Sequence, residues 1–185
     1  MAGDTGHDVY TLPPNLPVPE DDGAADHLVG LELPRLMLES SLGNVNVRDF
    51  GVIYIYPRSG RPGAPLPPGW DETPGARGCT PQSCAFRDAH RDLAAVGARV
   101  AGLSAQPLDD QLEFAERNDM PYPVIADPQR RLGAELGLPV FEIAGFTLYK
   151  RITLVAEQAR IVKVFYPVFP PDANAGDVLD WLRSR

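Results

Sequence analysis

Gly51-Val52-Ile53-Tyr54-Ile55-Tyr56 is β-branched or aromatic at every position after its glycine. That is the composition of a central strand covered on both faces. The chain then runs through residues 57–78, twenty-two positions holding six prolines and five glycines. A loop of that length inside a compact domain is uncommon and usually functional or disordered. It delivers the chain into Gly78-Cys79-Thr80-Pro81-Gln82-Ser83-Cys84-Ala85-Phe86-Arg87-Asp88. Phe86, Ala89, Leu93 and Val96 fall at helical spacing, with Arg87, Asp88, Arg91 and Asp92 on the other side, and Gly97 is a natural stop. The reading is a strand, a long loop and a helix with both cysteines at its start.

The same alternation continues outward. Upstream, apolar residues from Leu31 to Val47 alternate loosely around Ser40-Ser41 and Gly43-Asn44, a hairpin pattern, and residues 1–28 are rich in Pro, Asp and Gly and predict an extended arm. Downstream, Arg99-Val100-Ala101-Gly102-Leu103-Ser104 predicts a second strand. Pro107 opens a helix with Leu108, Leu112 and Ala115 on one face. Tyr122 to Ala126 predicts a short buried strand, followed by a short helix through Leu132 and Leu136 to Gly137. Tyr149 to Val155 and Arg160 to Tyr166 predict two strands around Glu157-Gln158, and Val178, Trp181 and Leu182 mark the apolar face of a last helix. Strands and helices in this order imply parallel strands joined by right-handed crossovers, with antiparallel members from the late hairpin. The expected fold is α/β and thioredoxin-like. It has a mixed central sheet with helices on both faces, an N-terminal hairpin extension, and one domain over residues 29–185. Element order alone does not separate it from other α/β folds.

Composition narrows the function. A chain of 185 residues that is 44% hydrophobic buries a sizeable core. A net charge of −8 without a Lys/Arg cluster argues against nucleic acid. The longest apolar runs are strand-length, short of the roughly 20 residues that span a bilayer. Met1 to Asp8 has neither a basic start nor an apolar stretch, so no secretory signal is expected and the default location is cytoplasmic. There, cysteines stay reduced unless redox chemistry is their task.

Cys79 and Cys84 are the chain's two cysteines. A cysteine at a helix N-terminus has its thiolate stabilised by unpaired N–H groups and the positive end of the dipole, and Arg77 and Arg87 lie close enough in sequence to add to the effect. Zinc needs four ligands at paired spacings, which two cysteines and the scattered His7, His27 and His90 do not supply. Two inert core cysteines remain an alternative. On a regular helix, residues i and i+5 have Cα atoms about 8.6 Å apart, whereas a disulfide needs less than about 7 Å. Any bond between this pair therefore requires the first turns to unwind.

At these residues the sequence resembles the peroxiredoxins of the AhpC/TSA type, specifically the PrxQ or bacterioferritin comigratory group. Tyr56-Pro57, Thr73-Pro74-Gly75, Gly78-Cys79-Thr80, Cys84 and Phe86-Arg87-Asp88 follow that group's pattern in order. So do Gly102-Leu103-Ser104, Phe114, Tyr122 to Asp127, and Arg151-Ile152-Thr153-Leu154, a likeness covering roughly residues 28 to 183.

The resemblance implies a peroxidase that needs no cofactor or metal. It makes Cys79 the thiol that attacks the peroxide and becomes a sulfenic acid, Cys84 the thiol that resolves it as an intramolecular disulfide, and thioredoxin or a similar dithiol the reductant. Arg151 would hold the thiolate and polarise the peroxide. It also implies a monomer. The group's threonine three residues before the cysteine is here Ala76. Thr73 serves only if Ala76-Arg77-Gly78 bulges out, and Thr80 is the other candidate hydroxyl. The 57–78 insertion would cover the pocket and restrict which peroxides enter. A thioredoxin-fold disulfide reductase, which should carry C-x-x-C, and a peroxide-sensing redox protein are the competing readings.

Overall fold

The computed structural model describes residues 8–185, so the first seven residues of the expected N-terminal arm lie outside the described residues. In chain order the elements are β1 (Met37–Ser40), β2 (Val45–Asn46), β3 (Val52–Ile55), α1 (Cys79–Asp88), α2 (His90–Ala95), β4 (Val100–Ser104) and α3 (Leu108–Arg117). There follow β5 (Val124–Ala126), α4 (Arg131–Leu136), β6 (Val140–Ile143), β7 (Phe146–Tyr149), β8 (Ile152–Glu157), β9 (Arg160–Phe165) and α5 (Asn174–Arg183). Seven strands form one sheet in the order β2-β1-β5-β4-β3-β8-β9. The central β3, β4 and β5 are parallel, while β8, β9 and β1 join antiparallel.

Strand periodicity sorts the buried side chains onto two faces. Ile53, Ile55, Ala101, Leu103, Ile125, Ile152 and Leu154 point to one core, which Leu132 and Leu136 of α4 and the segment from Ala25 to Leu36 complete. Val52, Tyr54, Val100, Val124 and Val155 point to the other, packed by Phe86, Leu93, Phe114, Val178 and Leu179 from α1, α2, α3 and α5. The fully buried Val, Leu, Ile and Phe side chains among these contribute roughly 1.5–3 kcal/mol of transfer free energy each. The second core holds an aromatic cluster. Tyr54 stacks on Phe86 with centroids 4.4 Å apart, and Gly102 is needed beneath it, because a Cβ there would stand 2.7 Å from the Tyr54 ring.

Four local features differ from the sequence reading or extend it. The helix entered at Cys79 breaks at Ala89, where φ −87 and ψ 0 reset the axis before α2, and both Phe86 and Leu93 stay buried across the break. On α3 the inward face is Gln111, Phe114 and Ala115, while Leu112 is 41% exposed. Gln111 takes a core position because both ends of its amide are satisfied. It accepts from the Tyr56 hydroxyl at 2.9 Å and donates to the Ile125 carbonyl at 2.8 Å. The expected strand beginning at Tyr149 is instead the end of a separate hairpin, β6–β7, and β8 starts at Ile152. Its turn residues Ala144 and Gly145 both have positive φ, the geometry a two-residue hairpin requires, which Ala-Gly signals only weakly. Finally, residues 8–28 contain no helix or strand, yet Val9, Ala25 and Leu28 are buried.

Candidate active site

Cys79 is the first residue of α1 and is 3% exposed. The backbone turns into the helix at Gly78 with φ 107. A Cβ at Gly78 would lie 2.6 Å from Pro171 and 2.9 Å from Leu12, so both backbone conformation and close packing require glycine there. The start of α1 and the lead-in to the interior strand β8 thus bring together what the sequence separates by seventy-two positions. Arg151, just before β8, extends its guanidinium to 3.3 Å from Cys79 Sγ.

Arg151 is itself only 3% exposed. Its Nη2 also donates to the carbonyls of Gly75, Ala76 and Arg77 at 3.2, 3.0 and 3.1 Å, and its Nη1 donates to Gln82 Oε1 at 2.6 Å. Every one of these acceptors is neutral. An isolated buried cation is costly, and the Cys79 sulfur is the group at this site able to carry the compensating negative charge. The guanidinium is therefore placed to stabilise negative charge that develops on this sulfur.

The entry is a cavity of about 130 Å³ lined by Cys79 and Thr80 together with Arg58, Leu66, Pro67 and Trp70. Most of its wall comes from the 57–78 segment, which is built of successive turns rather than free chain. Trp70, Thr73 and Ala76 each donate their backbone N–H three residues back. Trp70 and Ala76 pack with Leu148 against Leu66, Phe141 and Ile143, so the loop is seated on the β6–β7 hairpin. Arg58 adds a cation–π contact 4.6 Å from the Phe146 ring centroid.

The two candidate hydroxyls separate here. Thr73 donates to the Gly69 carbonyl at 2.7 Å within its own turn and lines a different cavity, whereas Thr80 is buried and faces the Cys79 cavity. The two flanking arginines also part company. Arg77 lines the Cys79 cavity but is held by a bidentate pair with Asp71 at 2.7 and 2.9 Å. Arg87 lies two turns along α1, bonded to Asp88 and to the Asn118 carbonyl, where its charge acts on Cys84.

Cys84 is half-buried on the same helix, with its thiol donating to Asn118 Oδ1 at 3.8 Å, and both cysteines are free. Burial pushes the Cys84 thiol up and Asp88 adds to the rise, while Arg87 and Arg117 partly offset it. Beneath this stretch, Tyr122 donates to the Ser83 carbonyl at 3.0 Å and shares a 2.8 Å hydrogen bond with the Tyr54 hydroxyl. Burial raises both phenols, which keeps them protonated at neutral pH. No group of three or more potential metal ligands occurs among the described residues.

Sequence reasoning quoted Gln82 but gave it no part. It stands one turn after Cys79, on the same face of α1, and i, i+3 spacing was the signal that might have found it. Asn174, whose Oδ1 accepts from Gln82 Nε2 at 3.0 Å, had no local signal.

Residues 72–165 match the AhpC/TSA family. Peroxiredoxin Q, chloroplastic, from Gentiana triflora is 31% identical over 157 residues, covering 82% of this chain and 64% of that protein. This chain thus spans less than two thirds of that relative's length. Among solved structures, peroxidoxin BcpB from Mycobacterium tuberculosis superposes with a TM-score of 0.66 at 27% identity, covering 85% of this chain and 97% of that one. A PrxQ cysteine mutant from Xylella fastidiosa gives a TM-score of 0.68 at 19% identity over 85% of this chain and 97% of its own, a likeness of fold. The mixed sheet described above is that thioredoxin-like fold.

Proposed function

The chain belongs to the AhpC/TSA family, and from that premise we propose that it is a thiol peroxidase that reduces hydrogen peroxide and organic hydroperoxides. The observation that carries the reading is the 3.3 Å contact between Arg151 and Cys79 Sγ, at the start of a helix and beside a cavity. In the first step the Cys79 thiolate attacks the terminal peroxide oxygen. The S–O bond forms as the O–O bond breaks, and the alkoxide or hydroxide leaves with a proton from solvent. Arg151 stabilises the charge as it spreads from sulfur over the oxygens. Cys79 becomes a sulfenic acid, a two-electron oxidation.

In the second step Cys84 sulfur bonds to Cys79 sulfur and water leaves. Because α1 is helical through both residues, this step needs its first turns to unwind. A thioredoxin-like dithiol then returns two electrons and two protons. That dependence assigns the work to a reducing compartment such as the cytoplasm, with the chain acting as a monomer. No helix among the described residues is long and apolar enough to cross a membrane. Thr80 is the hydroxyl we assign to the site in preference to Thr73, because it faces the Cys79 cavity. We read the 57–78 loop as an insertion that limits the size of the peroxide admitted.

The test is consumption of excess hydrogen peroxide with dithiothreitol as reductant. The native protein should turn over repeatedly and Cys79→Ser not at all. A Cys79→Ser protein as active as the native one would end the proposal.

A further inference from the structure

Asn174 stands at the first turn of α5, twenty-three residues beyond Arg151, and is 2% exposed. Its Oδ1 accepts two hydrogen bonds, from Gln82 Nε2 at 3.0 Å and from the Thr153 hydroxyl at 2.7 Å. Gln82 Oε1 in turn accepts from Arg151 Nη1 at 2.6 Å, and Arg151 Nη2 reaches Cys79 Sγ. The side chains thus form one buried chain, from Thr153 through Asn174, Gln82 and Arg151 to the Cys79 sulfur.

The direction of this chain is forced by chemistry. A guanidinium has donors only, so Gln82 must present its oxygen to Arg151. Its NH₂ group then faces Asn174, which must present its own oxygen, and the Thr153 hydroxyl has to donate to that same oxygen. If Gln82 turned over, it would set an NH₂ against a guanidinium N–H, two donors at a hydrogen-bond distance of 2.6 Å. The group that holds Gln82 in the productive sense is Asn174. Arg151 and Thr153 are two positions apart and share one side of β8 and its approach, so these two members rest on one segment while Gln82 and Cys79 ride on α1. The arrangement ties the catalytic guanidinium to the C-terminal helix.

We infer that Asn174 is a positioning residue for Arg151: acting through Gln82, it fixes where the guanidinium sits and thereby the reactivity of the Cys79 thiolate. The inference concerns the same site as the proposed peroxidase, but it can be read without peroxide, from the rate at which iodoacetamide alkylates Cys79 in a Cys84→Ser background.

Asn174→Leu, which keeps the branching and heavy-atom count and removes the acceptor, should lower both the alkylation rate at neutral pH and kcat/KM for hydrogen peroxide by on the order of tenfold, with the alkylation profile moved to higher pH. Asn174→Asp, which accepts the same two bonds, should keep most of the native rate. In a Gln82→Leu background, Asn174→Leu should have almost no additional effect, since the intermediary is gone. A purely structural Asn174 would instead show a lowered melting temperature with a native alkylation profile, and its loss would add to that of Gln82. Either result overturns the inference. Should Asn174→Leu not fold, Asn174→Ser takes its place with the same expectation, because its shorter hydroxyl does not reach both donors. If the native protein consumes no peroxide while the alkylation pattern holds, the peroxidase reading fails and the positioning role stands.

Discussion

Tyr122 donates its phenol to the carbonyl of Ser83, one residue before Cys84, and so ties the middle of α1 to the approach of β5. That bond marks the boundary to which the helix must unwind if Cys79 is to reach Cys84. Oxidation by one equivalent of peroxide should lower amide-exchange protection over residues 83–86, whose N–H groups bond to the carbonyls of the first turn. Tyr122→Phe removes a hydrogen bond worth about 1 kcal/mol, so it should extend the exposed segment and speed disulfide formation several-fold. Equal protection of residues 83–86 in both redox forms would mean that the pair does not bridge.

The two thiols sit in different surroundings, one beside a buried cation and one raised by burial. Cys84→Ser should therefore complete one fast turnover and then accumulate sulfenic acid at Cys79, visible by mass as a gain of one oxygen or by dimedone trapping. Cys79→Ser should show no such first turnover. If both variants lose it equally, the division of labour is wrong.

Removing the Arg151 charge should slow the chemical step without unfolding the chain. Arg151→Met should cost roughly 2–4 kcal/mol in the barrier for peroxide attack, the range found when one oxyanion donor is deleted. The circular dichroism spectrum should be retained. Single-turnover kinetics with Cys79 sulfenate as the readout checks both, and an unchanged rate would return Arg151 to a merely structural place.

Resolution should depend on pH in a direction set by Cys84. Its thiol is raised by burial in the folded helix and returns to its ordinary value once the helix unwinds. The folded helix therefore binds that proton more tightly than the unwound one. Its stability is complete below the ordinary thiol value and is lost as pH rises through the folded one. Disulfide formation should accordingly accelerate from about pH 7 to pH 9, through both a larger thiolate fraction and easier unwinding. Quenched-flow mass spectrometry of the sulfenate-to-disulfide step would show this, and a rate that is flat or falls over that span contradicts it.

Much of the site was open to reading along the chain because its signals are local. Cys79 and Cys84 lie in one helix-start stretch, and whether a helix holds them apart follows from rise and turn per residue. Arg151 was reachable through a short strand motif that resembles a family pattern. The alternation of β3 between two buried faces was equally plain, since no position in Val52–Ile55 is polar. Where the reading strayed, a distant partner had altered the local rule. Leu112 lost its inward place on α3 to Gln111 because Tyr56 and the Ile125 carbonyl satisfy that amide. The β6–β7 hairpin was missed because Ala-Gly is a weak turn signal. The 57–78 loop could not be assigned a seat, since that seat is the same hairpin.

Periodicity, turn residues and the placement of thiols at a helix start act over a few residues, and the amino-acid order alone settles them: strand, loop, helix, alternating sheet and both cysteines on that helix. What the folded molecule alone decided are relations between segments far apart in the chain. It put Thr80 in the wall of the Cys79 cavity and Thr73 in the wall of another. It turned Arg77 onto Asp71 and Arg87 toward Cys84, and it gathered three loop carbonyls around Arg151. It also brought Asn174 from the last helix to orient Gln82. Hydrogen bonds select partners by distance and direction within about 3 Å, and which groups come that close across seventy or ninety residues depends on how the whole sheet packs its helices.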